Sequence, residues 1–89
     1  MTTINLSSQF RNALKKLARK KPEIVVIVIE KILLFNSSIN HPSLKLHKLS
    51  GDLKHLWSVS IEYDVRMVFR YTNDGNILFV DIGSHDQVY

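Results

Sequence analysis

The sequence predicts a single α+β domain in which a short first strand and two helices precede a three-stranded antiparallel meander. Apolar residues recur at helical spacing before residue 36, and apolar and polar residues alternate after residue 56. Segments rich in Asn, Ser, Asp or Gly lie between these stretches. Helices followed by strands are typical of folds in which the helices pack on an antiparallel sheet. The length of 89 residues corresponds to one domain over residues 1–89.

Composition excludes several classes of protein. The chain has no cysteine, so disulfides and thiolate metal sites are excluded. The longest apolar run, residues 24–29, is far shorter than the roughly 20 residues that span a bilayer. The first residues lack the basic and apolar segments of a signal peptide. We therefore expect a cytoplasmic protein with no membrane contact.

Basic residues are concentrated near the N-terminus. The net charge is +4, and half of the twelve basic residues fall between residues 11 and 21. Such clustering favours contact with nucleic acid or with an acidic protein partner. The alternative is that the charge only keeps the protein in solution. The clustered residues are Arg11, Lys15, Lys16, Arg19, Lys20 and Lys21.

The first part of the sequence predicts a short strand followed by a helix. Residues 2–6 fit the strand, and Ser7 or Ser8 offers an N-cap oxygen to the helix. The helix should end near Lys21, because Pro22 disfavours helical geometry in the residue before it. Its apolar face consists of Phe10, Leu14, Leu17 and Ala18.

The second helix is a more ambiguous element. Pro22 and Glu23 suit the first turn of a helix, whereas the β-branched run 24–29 is typical of a strand. Apolar residues continue to Phe35, and that length favours a buried helix of about 14 residues. Residues 36–43 are rich in Asn and Ser and fit a loop.

Alternation predicts the register of the first hairpin in the meander. We expect Ile61 opposite Met67, because this register brings the apolar residues of both strands to one face. It also places Glu62 opposite Arg66 as an oppositely charged pair, and it leaves residues 63–65 as the loop. The predicted core-facing residues are Trp57, Val59, Ile61, Met67, Phe69 and Tyr71.

The turn at residues 72–75 leads into the third strand of the meander. Its predicted core residues are Leu78, Val80 and Ile82. The other face of the sheet is predicted to be polar at one end and apolar at the other, and the apolar end requires a cover. The predicted members of that face are Ser58, Ser60, Glu62, Arg66, Val68, Arg70, Ile77, Phe79 and Asp81.

The titratable residues fit metal-independent cleavage of RNA. The four histidines include no short-spaced pair, so we expect no metal site. Cleavage by the 2′-hydroxyl of the RNA needs a base, an acid and a cation that stabilises the phosphorane. Histidine suits the first two roles because its pKa lies near neutrality, and arginine suits the third. The sequence supplies these types as His47, His85 and Arg66, and Asp64 is available to orient a histidine.

Three segments of the second half carry a family resemblance: Leu46-His47-Lys48-Leu49-Ser50-Gly51, Val65-Arg66-Met67-Val68-Phe69, and Gly83-Ser84-His85 with Tyr89. In order and spacing they resemble the RelE/ParE superfamily of bacterial toxins, above all its RelE/YafQ members. The resemblance implies a β-α-α-β-β-β fold and a toxin of a type II toxin–antitoxin system. The implied activity is ribosome-dependent mRNA endonuclease cleavage without metal or cofactor. The implied partners are an acidic antitoxin, mRNA and ribosomal RNA.

The resemblance also implies roles for individual residues. His47, Asp64 and His85 match catalytic positions of YafQ-like members, and Arg66 and Tyr89 match positions that RelE-like members use. We expect His85 to be the general acid and His47 the base or an auxiliary group. Arg66 would stabilise phosphate charge, with Asp64 in support. The expected RNA-binding residues are Lys45, Lys48, Lys54, Arg70 and Tyr89.

The chain departs from the family at two serines. Ser60 stands where YafQ-like members have a further histidine, and Ser58 and Ser60 stand where RelE-like members have lysines. Because one catalytic group of either scheme is missing, we expect a reduced site or weak activity. The alternatives are a ParE-like toxin that inhibits DNA gyrase without catalysis, and a degenerate toxin. For single residues, the alternatives are that His47 is an ordinary loop residue and that Arg66 only pairs with Glu62.

Overall fold

The computed structural model describes residues 3–84 and residue 88. Its helices are α1 (Ser8–Lys20) and α2 (Ile24–Ser37), and its strands are β1 (Ile4–Leu6), β2 (His47–Lys48), β3 (Trp57–Glu62), β4 (Val65–Tyr71) and β5 (Ile77–Gly83). All five strands form one sheet in the order β1-β5-β4-β3-β2, in which only β1 and β5 are parallel. The predicted α+β class is confirmed, and β2 is an additional short strand. No helix within the described residues is long and apolar enough to cross a membrane.

Helix α1 is tied to the sheet through its N-cap. The Ser7 hydroxyl accepts a hydrogen bond from the Phe10 N–H at 3.0 Å and donates one to the Val80 carbonyl at 2.9 Å. One side chain therefore caps the helix and fixes it to β5. The helix ends at Lys20, just before Pro22, as predicted.

Helix α2 is confirmed as a helix of 14 residues, but the prediction that it is buried is wrong on one side. Its sheet-facing residues Ile24, Val28 and Phe35 are buried. In contrast, Val26, Ile29 and Leu33 are 58%, 53% and 63% exposed. The two helices form a single layer on the sheet, so within the described residues no second layer covers the far side of α2.

The predicted register of the β3–β4 hairpin is wrong by two residues. Val59 pairs with Met67, and the loop contains only residues 63–64. Ile61 is an extra residue between paired positions, which makes a β-bulge. The bulge changes which residues face the core, so Ile61 stays buried there despite the shorter loop.

The predicted cross-strand pair of Glu62 and Arg66 is also wrong. Glu62 lies opposite Val65, and its carboxylate forms a salt bridge with the Lys21 Nζ at 2.5 Å. Arg66 lies opposite Ser60. The bulge thus separates the two charges that the sequence had placed together.

A second bulge, at Val80, means that the predicted faces are reversed for residues 77–80 of β5 but not for the residues after them. Phe69 pairs with Phe79, and Val80 is the extra residue beyond that pair. The core-facing residues of β5 are Ile77, Phe79 and Ile82. The predicted core positions Leu78 and Val80 are therefore wrong, whereas the prediction for Ile82 is confirmed.

Four phenylalanine rings form the centre of the core. The Phe79 ring centroid lies 5.9 Å from that of Phe10, 5.3 Å from that of Phe35 and 5.4 Å from that of Phe69. Trp57 stacks on Phe69 with centroids 6.4 Å apart, which confirms its prediction as a packing residue. Such rings contribute directional contacts beyond the burial of apolar area.

The faces of β5 that the bulge at Val80 sets lead to different stability predictions for two neighbouring residues, Phe79 and Leu78. Phe79→Ala should lower the free energy of unfolding by about 3–5 kcal/mol, because it empties the centre of the core. Leu78→Ala, outside the core cluster, should cost only about 1 kcal/mol. Urea denaturation followed by circular dichroism measures both. A larger loss for Leu78→Ala would contradict the observed faces of β5.

Candidate nucleic-acid interface

Several polar and charged residues of the candidate site project from the sheet face that points away from the helices. We call it the outer face. Directly opposed residues of neighbouring strands project to the same side of a sheet. His47 opposes Ser58, Ser58 opposes Val68, and Val68 opposes Asp81, which makes one row across four strands. The outer face consists of His47, Ser58, Ser60, Arg66, Val68, Arg70 and Asp81.

Two arginines on β4 give the outer face its positive charge. Arg66 and Arg70 are four residues apart on one strand, so they share a face at a separation of about 13 Å. Both are partly exposed. The one salt bridge among the described residues joins Lys21 and Glu62, so neither guanidinium is neutralised by a carboxylate there. Each guanidinium can therefore grip two oxygens of a phosphate.

His47 is held in an orientation that suits a base. Its Nδ1 lies 3.1 Å from the carbonyl oxygen of Lys45. When the Nδ1–H donates to that carbonyl, the Nε2 lone pair is free to take a proton. Lys45 has a left-handed backbone with φ of 48°, the only positive φ of a non-glycine residue among those described. That strained conformation, which is uncommon outside glycine, belongs to the turn that leads into β2.

A loop borders the outer face, since His55 and Leu56 line a cavity together with Val68 and Arg70. The Leu49 N–H donates to the Leu56 carbonyl at 3.0 Å, which closes residues 49–56 into a compact loop. Ser58 and Ser60 are buried even though they belong to the outer face.

Beside this loop lies a cavity of about 270 Å³ that sequence reasoning missed. Arg70 and His55 reach it from different elements. Asp81 also lines it, and the Asp81 carboxylate accepts hydrogen bonds from the Gln9 side chain at 3.0 Å and from the Ile82 N–H at 2.9 Å. No sequence spacing links residues as far apart as Gln9, His55 and Asp81, because only the sheet register brings them together.

The other predicted site residues divide between several places. Asp64 is exposed in the β3–β4 turn. Lys54 is exposed in the loop at residues 49–56, which borders the outer face. Lys48 opposes Trp57, and its Nζ lies 6.0 Å from the Trp57 ring, on the side of the sheet opposite His47.

The predicted general acid and the predicted stacking residue, His85 and Tyr89, lie outside the described residues. Gly83, which begins the segment containing His85, pairs with Arg66. The described chain thus reaches the Arg66 end of the outer face two residues before His85. Over residues 3–84 and 88, no group of three potential ligands is placed to hold a metal ion.

Comparison with known proteins gives a family and a fold. Residues 2–89 match the family described as bacterial toxin of type II toxin–antitoxin system, YafQ. No curated protein matches the chain.

Several solved toxins have the same fold. YafQ from E. coli superposes with a TM-score of 0.81 at 20% identity, over 100% of this chain and 99% of that chain. A copper-bound mutant toxin from Helicobacter pylori gives 0.82 at 24% identity, over 100% of both chains. The E. coli DinJ–YafQ complex gives 0.79 at 21% identity, over 100% of this chain and 99% of that chain.

The opposite placement of Arg66 and Lys48 gives a binding prediction. For a fluorescent single-stranded RNA, Arg66→Ala should reduce the slope of log K against log salt by about 0.7, the loss of one phosphate contact. Lys48→Ala should leave the slope unchanged, because Lys48 lies on the other side of the sheet. Anisotropy titrations over a series of salt concentrations measure both slopes. Equal losses for the two variants would show that RNA does not select the outer face.

Proposed function

We propose that this chain, which belongs to the YafQ family of bacterial toxins of type II toxin–antitoxin systems, cleaves mRNA on the translating ribosome. The observation that carries the proposal is the outer face, where two arginines that form no salt bridge within residues 3–84 lie on the same side of the sheet as His47. A cationic, partly covered surface with an imidazole suits phosphodiester cleavage better than it suits binding of an apolar ligand.

The proposed reaction uses the RNA as its own nucleophile. His47 takes the 2′ proton through Nε2, and the 2′ oxygen then forms a bond to phosphorus. Arg66 stabilises the charge of the phosphorane. The bond from phosphorus to the 5′ oxygen breaks as His85 donates a proton to that oxygen, and Asp64 supports the site. No metal or cofactor takes part in this scheme.

Binding would involve surfaces on both sides of the reacting phosphate. Arg70, Lys45 and Lys54 would contact neighbouring phosphates, and Tyr89 would stack on a base. Contact with ribosomal RNA would also depend strongly on salt, because it is made through phosphates. These roles place the protein in the cytoplasm, where ribosomes translate.

The solved complex of E. coli YafQ with DinJ supports an antitoxin for this chain as well. We propose an acidic antitoxin whose binding prevents the reaction. A toxin that arrests growth requires a partner that keeps it inactive until it is needed.

A second candidate function is inhibition of DNA gyrase by binding alone. It is favoured by Ser60, which is buried beside Arg66 where YafQ-like members have a further histidine. A degenerate toxin is a third candidate on the same ground. Neither candidate requires the phosphate chemistry of the outer face.

Primer extension on an mRNA in a reconstituted translation system tests the proposal. Cuts should appear only while ribosomes translate, and His85→Ala should reduce the cleavage rate by about a hundredfold or more, because a general acid contributes that much. Glu30→Ala, at an exposed position of α2 on the helical side of the sheet, serves as a folded control that should cleave normally. Growth arrest without cuts from the folded wild-type protein would exclude the nuclease and favour gyrase inhibition.

Ser60, which stands where YafQ-like members have a further histidine, gives a gain-of-function prediction. Ser60→His should raise the cleavage rate by about tenfold or more, because it adds a proton-transfer group to those of His47 and His85, at a position opposite Arg66. Ser60→Ala should leave the rate within about twofold of wild type. Single-turnover cleavage of a programmed ribosome measures the rate, and circular dichroism confirms the fold of each variant. Unchanged cleavage by a folded Ser60→His variant would show that the site does not use a group at this position.

A further inference from the structure

The side of α2 that faces away from the sheet is an uncovered apolar surface. Val26, Ile29 and Leu33 are each more than half exposed. At 3.6 residues per turn they fall within about 60° of the helix circumference. They therefore form one continuous line, which we call the apolar stripe. Among the described residues, only Tyr63 and Tyr71 are other large apolar side chains of comparable exposure.

The spacing of the apolar stripe suits a second helix. Its members are three and four residues apart, which is the spacing of the seam between two packed helices and of helix-in-groove anchors. An added strand needs free backbone groups, and those within a helix are already bonded to each other. RNA phosphates gain nothing from aliphatic side chains. The complementary occupant is an amphipathic helix with aliphatic residues at matching intervals.

The positive charge of α1, which lies beside α2, favours an acidic helix as the binding partner. Residues 21–23 join α1 to α2, so the helices are antiparallel neighbours in one layer. The solvent side of α1 carries three exposed cations at intervals of four residues, which we call the basic stripe: Arg11, Lys15 and Arg19. None of them takes part in the salt bridge found among the described residues. Acidic residues flanking the aliphatic face of an arriving helix would find these cations beside it.

A second copy of this chain fits the surface poorly. A stable dimer buries about 800 Å² on each partner, and three exposed aliphatic side chains supply only a fraction of that area. Pairing two copies through α2 would also bring two basic stripes toward each other. A larger partner that wraps several surfaces does not meet either difficulty.

We infer that the apolar stripe and the basic stripe together form the docking surface for an acidic amphipathic helix of the antitoxin. The inference rests on the toxin–antitoxin function proposed above, and it places this contact on the helical layer, away from the outer face of the sheet. A helix bound there anchors the antitoxin while leaving the rest of its chain free to reach the outer face.

A designed peptide tests the surface. The probe is a fluorescein-labelled helix of about three heptads, with Leu at the first and fourth positions and Glu at the flanking ones. In anisotropy titrations, Leu33→Glu should weaken its binding by at least about tenfold. Tyr63→Glu introduces the same charge at a fully exposed residue away from α2, and it should change binding by less than about twofold. Both variants should keep the circular dichroism of the wild type, because both side chains face solvent.

A charge exchange tests the basic stripe. Lys15→Glu should weaken binding of the Glu peptide and strengthen binding of a matched peptide in which Lys replaces Glu. Failure of the wild-type protein to bind the Glu peptide, or equal binding by Leu33→Glu, would overturn the inference. Two other results would also overturn the inference. One is a wild-type protein that sediments as a dimer and a Leu33→Glu variant that sediments as a monomer, and the other is weaker RNA binding by Leu33→Glu.

The peptide-binding experiment tests the docking surface independently of mRNA cleavage. Leu33→Glu should cut mRNA on the ribosome at the wild-type rate, because Leu33 lies on the helical layer. If the wild-type protein cuts nothing but binds the peptide through the apolar stripe, the nuclease proposal fails and the docking surface stands. If it cuts mRNA but does not bind the peptide, the docking surface fails alone.

Discussion

The β-bulge at Val80 is the constraint on which the rest of the structure depends. By inserting one residue into β5, it brings both Phe79 and Ile82 to the core face. The Val80 carbonyl accepts a hydrogen bond from the Ser7 hydroxyl, and the same hydroxyl caps α1. The same irregularity therefore sets the centre of the aromatic core and fixes the first helix against it.

The bulge also determines what the outer face carries. Beyond Val80, Asp81 moves to the outer side, opposite Val68 and beside the cavity that Arg70 lines. The bulge at Ile61 does the same for the neighbouring pair of strands, since it places Arg66 opposite Ser60. Two local departures from regular pairing thus give the sheet one apolar face and one cationic face.

Charge distribution follows from these pairings. The Glu62 carboxylate binds Lys21 just after α1, so within the described residues this carboxylate does not neutralise the guanidinium of Arg66. A site that must hold a phosphate gains from cations that the protein itself does not neutralise. The helical layer has a different arrangement, in which the apolar stripe of α2 lies in the same layer as cations of α1 that form no salt bridge with any described residue. The two sides of the molecule therefore suit different partners: a nucleic acid on the outer face and an acidic protein helix on the helical layer.

The sequence by itself determined the class of fold, both helices, the existence of the three meander strands and the toxin family. These depend on local periodicity, on Pro22 as a helix boundary and on the order of a few segments, all of which can be read along the chain. Only the tertiary structure decided the register of the strands, the exposure of Leu33 and the pairing of Glu62 with Lys21. A bulge reverses the alternation of faces between the residues before it and those after it, so one regular alternating pattern assigns one of these two stretches to the wrong face. The cavity lined by His55, Arg70 and Asp81 was hidden for the same reason, because its residues are distant in sequence and meet only once the register is set.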